Sequence, residues 1–214
     1  MFASFDFINN QIAMNKQRFS FLIFLIGMIF LLSSFTKSTN DETFVIDTKR
    51  SSVQWLAKKV GGEHRGGINL ASGQLIIREN SIKDGSFTID MASMSCTDLE
   101  GEWNKKLIDH LKSDDFFAVG KNPVAKFNIK KITTISANRI QVNGDLTIKG
   151  ITHPLTFPAK IIKQNNELTA IADHIKVDRT KYDIRYGSKS FFASLGDKAI
   201  DNVFELNIHL IASK

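Results

Sequence analysis

This chain has almost none of the residues that chemistry on a polypeptide usually needs. Cysteine occurs once in 214 residues, at Cys96. A lone thiol makes no internal disulfide, so stability has to come from burial, for which the chain is long enough. Cys96 stands beside Met94 and just ahead of a predicted helix, which suits a buried inert thiol. The histidines (His64, His110, His153, His174 and His209) are scattered, and none pairs at metal-ligand spacing with another histidine, a cysteine or clustered carboxylates. His110 follows Asp109 at the end of the predicted helix and reads as a hydrogen-bonded terminal histidine. There is no Gly-x-Ser-x-Gly elbow and no phosphate-cradling glycine motif; His64-Arg65-Gly66-Gly67 is too short and isolated to serve as one. The residues therefore assign no catalytic group, no metal and no catalytic cofactor. Repeats and low-complexity segments are absent as well.

Charge excludes a further class. The net charge is +6, and setting aside residues 1–38, with Lys16, Arg18 and Lys37 against Asp6, lowers it to +4. No lysine/arginine stripe interleaved with aromatics accompanies it, so nucleic acid is not an expected partner.

What is present begins with an apolar run. Phe19 to Phe35 is almost unbroken, with Lys16 and Arg18 before it and Thr36, Lys37, Ser38 and Thr39 after it. A basic start, an apolar stretch and a small-residue exit predict a signal peptide over residues 1–38, cleaved near Ser38, with Met14 as its natural start. The run is about long enough for an inner-membrane anchor, the alternative reading. The expected localisation is periplasmic or secreted. Residues 39–214 then form one domain.

Between Arg139 and Lys149, Ile140, Val142, Gly144, Leu146 and Ile148 fall on one face and polar residues on the other. That is a half-buried antiparallel strand. The same period recurs in Phe44/Ile46, Val53/Trp55, Leu75/Ile77, Phe87/Ile89/Met91, Ala125/Phe127/Ile129, Leu155/Phe157/Ala159/Ile161, Ile171/Ile175/Val177 and Phe204/Leu206/Ile208/Leu210. Turns are expected at Gly61-Gly62, Gly66-Gly67, Glu79-Asn80, Lys83-Asp84-Gly85, Lys149-Gly150 and Gln164-Asn165-Asn166. About nine strands with short connections predict an antiparallel sandwich or barrel. Periodicity leaves open whether its interior is filled or hollow.

One helix interrupts the strands. Thr97 and Glu100 form a capping-box pattern, and Leu99, Trp103, Leu107 and Leu111 make an i+4 stripe expected to pack on the sheet, with Phe116-Phe117 anchoring the returning chain.

Three segments carry a resemblance. Asp109-His110-Leu111-Lys112-Ser113-Asp114-Asp115-Phe116-Phe117, followed by Asn122-Pro123 and Phe127, is similar to the most distinctive segment of the YceI family. Gly144 to Phe157, with Gly150-Ile151-Thr152-His153-Pro154 at its centre, resembles its second signature, and Val177-Asp178-Arg179-Thr180-Lys181-Tyr182 a third. The likeness runs from about Phe44 to Ala212. It departs from the commoner pattern at Ile184-Arg185-Tyr186-Gly187, where the family often has Gly-Met, and in a longer loop through Lys189 to Asp197.

The resemblance implies an all-β, lipocalin-like antiparallel barrel with one short helix inserted mid-chain. It also implies a non-enzymatic exported protein enclosing a polyisoprenoid or other amphiphilic lipid, such as an isoprenoid quinone or prenyl phosphate, for transport, storage or sequestration. Trp55, Phe87, Phe127, Leu146, Ile148 and Phe157 become candidates for the pocket wall. Lys58, His64, Arg65, Arg179 and Arg185 become candidates for a head group at its mouth, with Arg179 alternatively bracing its loop through Asp178 and Asp183. A membrane surface and a second copy of the chain, as a homodimer, stand as further partners. The competing reading is an envelope stress or interaction protein with a filled barrel.

Overall fold

The computed structural model describes residues 41–214. The expected signal peptide, its alternative as an anchor and the start at Met14 lie outside the described residues.

Alternation does build a barrel. The strands are β1 (Glu42–Ile46), β2 (Ser52–Lys59), β3 (Gly62–Arg78), β4 (Ser81–Cys96), β5 (Val124–Ser136), β6 (Arg139–Ile148), β7 (Ile151–Gln164), β8 (Glu167–Asp178) and β9 (Ile200–Ser213). All pair antiparallel, and β3 to β9 follow one another around the wall. β1 and β2 share the remaining position. β1 pairs Glu42–Val45 with Gln74–Ile77 of β3 and touches Ala212 and Ser213 of β9, while β2 pairs with Gly62–Ile68 of β3 and Ile200–His209 of β9. Nine strands therefore close eight positions, which leaves no long free edge. Around the β1 end side chains are tightly buried: Phe44, Ile77, Leu168 and Ala212 are each at most 2% exposed.

The connections are partly as expected. Glu79-Asn80 and Lys149-Gly150 reverse the chain with positive φ at both positions (51° and 61°; 52° and 74°), the backbone that matches strand twist in a two-residue hairpin. Gly66-Gly67 and Lys83-Asp84-Gly85 are not turns but lie within β3 and β4. Their glycines clear space: a Cβ on Gly66 would overlap the Ser95 carbonyl and sit 2.6 Å from the Trp55 ring. One on Gly85 would sit 2.8 Å from Leu75 and 2.9 Å from Ile129.

In β8 the expected inward set Ile171/Ile175/Val177 is corrected. A bulge between Ala172 and Ile175, with His174 at φ 54°, reverses the phase, so that Ala170 and Ala172 face inward ahead of Ile175.

The helix, α1, spans Gly101–Lys112. It starts without the capping box. Glu100 is the N-cap residue and makes no side-chain cap bond, while Thr97 donates its hydroxyl to the Arg65 carbonyl at 3.3 Å. Trp103 is also corrected: it is 71% exposed. Leu99 precedes the helix, and an i+4 row advances about 40° at each step, so Trp103 lies about 80° around from Leu111. The face toward the barrel is Asn104, Leu107, Ile108 and Leu111. Asn104 Nδ2 donates to the carbonyls of Cys96 (2.9 Å) and Leu99 (2.8 Å), and Lys112 Nζ to that of Ala92 (2.6 Å), which ties both ends of α1 to the chain of β4 and its exit.

Candidate functional site: an apolar chamber beneath the helix

The barrel is not filled throughout. Strand side chains project inward from a wall whose circumference is set by eight positions, and helix α1 lies over one part of it. Between them is a chamber of about 360 Å³. Its wall is made by Trp55, Ile89, Met91, Met94, Leu146, Ile148, Phe204 and Leu206 from the strands, and by Leu107, Leu111, Phe116 and Phe117 from α1 and the segment behind it. A second chamber of about 110 Å³ adjoins it, and every side chain lining it is apolar. Val53, Ile89, Leu146 and Leu206 belong to both walls, so the two are neighbours along one apolar interior.

Each residue singled out in the sequence has a definite place. Trp55, His64, Leu146, Ile148 and Arg179 line the larger chamber; Phe87, Phe127, Phe157 and again Leu146 line the smaller one. Trp55 satisfies its indole N–H on the Ser95 carbonyl at 3.1 Å, which frees its ring to serve as wall. Phe127 stacks obliquely between Phe87 (6.3 Å) and Phe157 (5.6 Å).

Polar groups gather where the larger chamber meets the surface. Lys58 and Lys59 are exposed there, with His64 half-buried. His64 Nδ1 lies 2.8 Å from Asp98 Oδ2, while Asp98 Oδ1 accepts the Arg65 amide at 2.7 Å and the Cys96 thiol at 3.3 Å. Burial alone would raise the Asp98 pKa, but these bonds outweigh it and hold the carboxyl down at about 2. Asp98 is thereby a fixed anion that orients the His64 ring.

Arg179 is differently occupied. It is 3% exposed, and its Nε, Nη1 and Nη2 donate to the carbonyls of Asp201 (2.9 Å), Ile184 (2.8 Å) and Ile200 (3.1 Å). It braces the loop through backbone oxygens rather than through Asp178 and Asp183. Arg65 and Arg185 pair with Glu63 and Asp183 respectively.

Sequence reasoning missed Met91, Met94, Leu107, Phe116, Phe117 and Tyr186 as lining residues. The Asp109–Phe117 motif was the available signal, since it places two aromatics directly after an amphipathic helix. His110 differs from expectation: it lines the chamber, and its Nε2 is buried without a hydrogen-bond partner. Among the described residues no group of three histidine, cysteine or carboxylate side chains converges as a metal site.

Comparison with known proteins fits this architecture. The profile of the YceI-like domain matches residues 44–212. A UPF0312 protein of Vibrio campbellii is 30% identical over 131 residues, which are 60% of this chain and 67% of that protein. A UPF0312 protein of Pseudomonas aeruginosa is 34% identical over 92 residues, 39% of this chain and 48% of the relative. The chain thus spans about half to two thirds of these curated relatives. Among solved structures, Burkholderia cenocepacia BcnA superposes with a TM-score of 0.64 at 20% identity, covering 78% of this chain and 99% of that one. A polyisoprenoid binding domain from Saccharophagus degradans superposes with a TM-score of 0.61 at 11% identity, covering 79% and 97%. At these identities the two structures establish the shared fold.

Proposed function

This chain belongs to the YceI-like domain family, and from that premise we propose that it is an exported, non-enzymatic binding protein for a polyisoprenoid or similar amphiphilic lipid. It holds the apolar tail in the barrel for transport, storage or sequestration. The observation that carries this reading is the pair of adjoining chambers, about 360 and 110 Å³, whose shared wall is Val53, Ile89, Leu146 and Leu206. The larger has the size of a typical small-molecule pocket. The smaller extends it with side chains that can take only hydrocarbon.

The energetics favour a chain lipid. Removing apolar surface from water is worth about 25 cal/mol per Å², so a tail enters without directional contacts. Association costs take part of that gain, and the remainder sets affinity. An isoprenoid quinone or prenyl phosphate would place its tail inward. Lys58, Lys59 and the Asp98-held His64 are the groups at the surface end that support a polar head there. The Saccharophagus neighbour, described as a polyisoprenoid binding domain, supports the same ligand class.

Contact with a membrane surface, the natural source of such a lipid, is supported by exposed aromatics with cations over them. Lys106 Nζ stands 5.1 Å from the Trp103 ring and the Arg185 guanidinium 4.9 Å from that of Phe191. A filled barrel acting only through its surface has no comparable support, because the interior holds open space.

The test is extraction. Protein purified from its native host should release an isoprenoid or related amphiphile into organic solvent, identified by mass spectrometry. Protein that is free of lipid and binds neither prenylquinones nor prenyl phosphates would end the proposal.

A further inference from the structure

Among the described residues, one buried side-chain nitrogen or oxygen has no hydrogen-bond partner: Nε2 of His110. Proteins rarely bury a polar atom unmatched, because the lost hydration is not returned. His110 is one of the residues that line the larger chamber. The ring that carries Nε2 is flanked on two sides, 5.3 Å from Phe116 and 4.5 Å from Tyr186, both edge-on at 67°. Its backbone is fixed, since the His110 carbonyl accepts both the amide (3.1 Å) and the hydroxyl (2.7 Å) of Ser113.

We infer that His110 Nε2 is the hydrogen-bonding anchor for a single uncharged oxygen, carbonyl or hydroxyl, of the lipid held in the larger chamber. This rests on the lipid-binding reading above and narrows its head group, from the quinone or phosphate alternatives, to an uncharged oxygen seated at His110 rather than at the Lys58, Lys59 and His64 end. The surroundings select the class. The cradle is aromatic and aliphatic, with Leu107, Leu111, Phe116 and Tyr186 beside the ring. Arg179, which also lines the chamber, stands 5.4 Å over the Phe116 ring with three nitrogens already committed to carbonyls. One partner atom suits one oxygen. A diphosphate needs several donors, and the cradle does not present them. A neutral imidazole nitrogen can donate to a quinone carbonyl or accept from a prenol hydroxyl, depending on its tautomer, so both sources share this chemistry.

The test compares farnesol, farnesene and farnesyl diphosphate, which share a tail and differ at the head. Binding is measured by quenching of tryptophan fluorescence in the intact protein and in His110→Phe, which keeps the ring between Phe116 and Tyr186. Farnesol affinity should fall about 3- to 10-fold in the variant, the worth of one hydrogen bond, with farnesene unchanged. Equal retention of farnesol and farnesene by the variant would overturn the assignment, and so would a selective loss of farnesyl diphosphate. Wild-type protein that binds none of the three would instead overturn the lipid reading itself. A second measurement needs no variant. The His110 Nε2 resonance in 15N-imidazole spectra should move on adding farnesol and stay in place with farnesene; no movement with farnesol overturns the anchor.

Discussion

The ring of Phe127 lies across Gly144 on the neighbouring strand, so close that a Cβ on Gly144 would meet both the ring and the Asn128 carbonyl. This contact explains the one glycine in the apolar row of β6. It also ties the barrel wall to the smaller chamber, which Phe127 lines. Gly144→Ala should therefore cost stability rather than add helix-like rigidity. The expected loss is about 1–3 kcal/mol, the usual cost of overpacking, read as a lower urea midpoint at unchanged slope.

Trp103 and Leu111 sit two turns apart on α1 with opposite fates. Trp103 is 71% exposed, whereas Leu111 packs on the core and lines the larger chamber. Trp103→Ser should leave stability within about 0.5 kcal/mol, as surface changes do. Leu111→Ala should lower it by about 1–2 kcal/mol, less than a fully buried leucine, and weaken lipid binding as well. Thermal unfolding of the two variants, with fluorescence titration of a prenol, checks both statements.

That contrast shows where sequence reading stops. Alternation identifies a strand's inward face because its period is two and each error flips every residue; hence β6 and β9 were legible from Ile140–Ile148 and Phe204–Leu210. A bulge breaks the rule without a distinctive residue, so alternation alone puts Ile171 inward in β8. In α1 an i+4 row looks like a face but winds away from it. The chamber was harder still. Trp55, Leu146 and Phe127 read as inward, but inward means only core until neighbouring side chains are known to leave a gap. His110 reads from sequence as a hydrogen-bonded helix-end residue, and only packing reveals its Nε2 buried without a partner.

Asp98 makes stability depend on pH at the acid end. Its folded pKa is depressed to about 2 by the Arg65 amide and His64, against the pull of burial. A depressed carboxyl contributes stability that is complete above its ordinary range and lost as pH falls from about 4 through about 2. Since the pair with His64 is about a quarter exposed (24% and 23%), screening reduces the contribution to about 1 kcal/mol. Asp98→Asn should lower the melting temperature at pH 6 and converge with wild type near pH 2. Parallel curves across that range would contradict the assignment.

Leu146 stands in the wall common to the two chambers, which on the proposed lipid-binding reading makes it the residue that sets how far a tail reaches. It is 6% exposed and pairs across β7 with His153, whose Nε2 lies 2.9 Å from the Lys181 carbonyl. A larger side chain at Leu146 therefore has little freedom to move outward. Leu146→Trp should close the passage to the smaller chamber while sparing the larger one. Overpacking would cost about 1–3 kcal/mol, tolerable for a closed barrel of this size. The signature is a change in chain-length dependence: wild-type affinity should rise from short to long prenols, and the variant should lose that rise beyond the length the larger chamber holds. If long and short prenols weaken by the same factor, the two chambers do not act as one tail channel. Calorimetric titration with a prenol series distinguishes these outcomes, because each added isoprene unit that stays in water contributes nothing to the measured affinity.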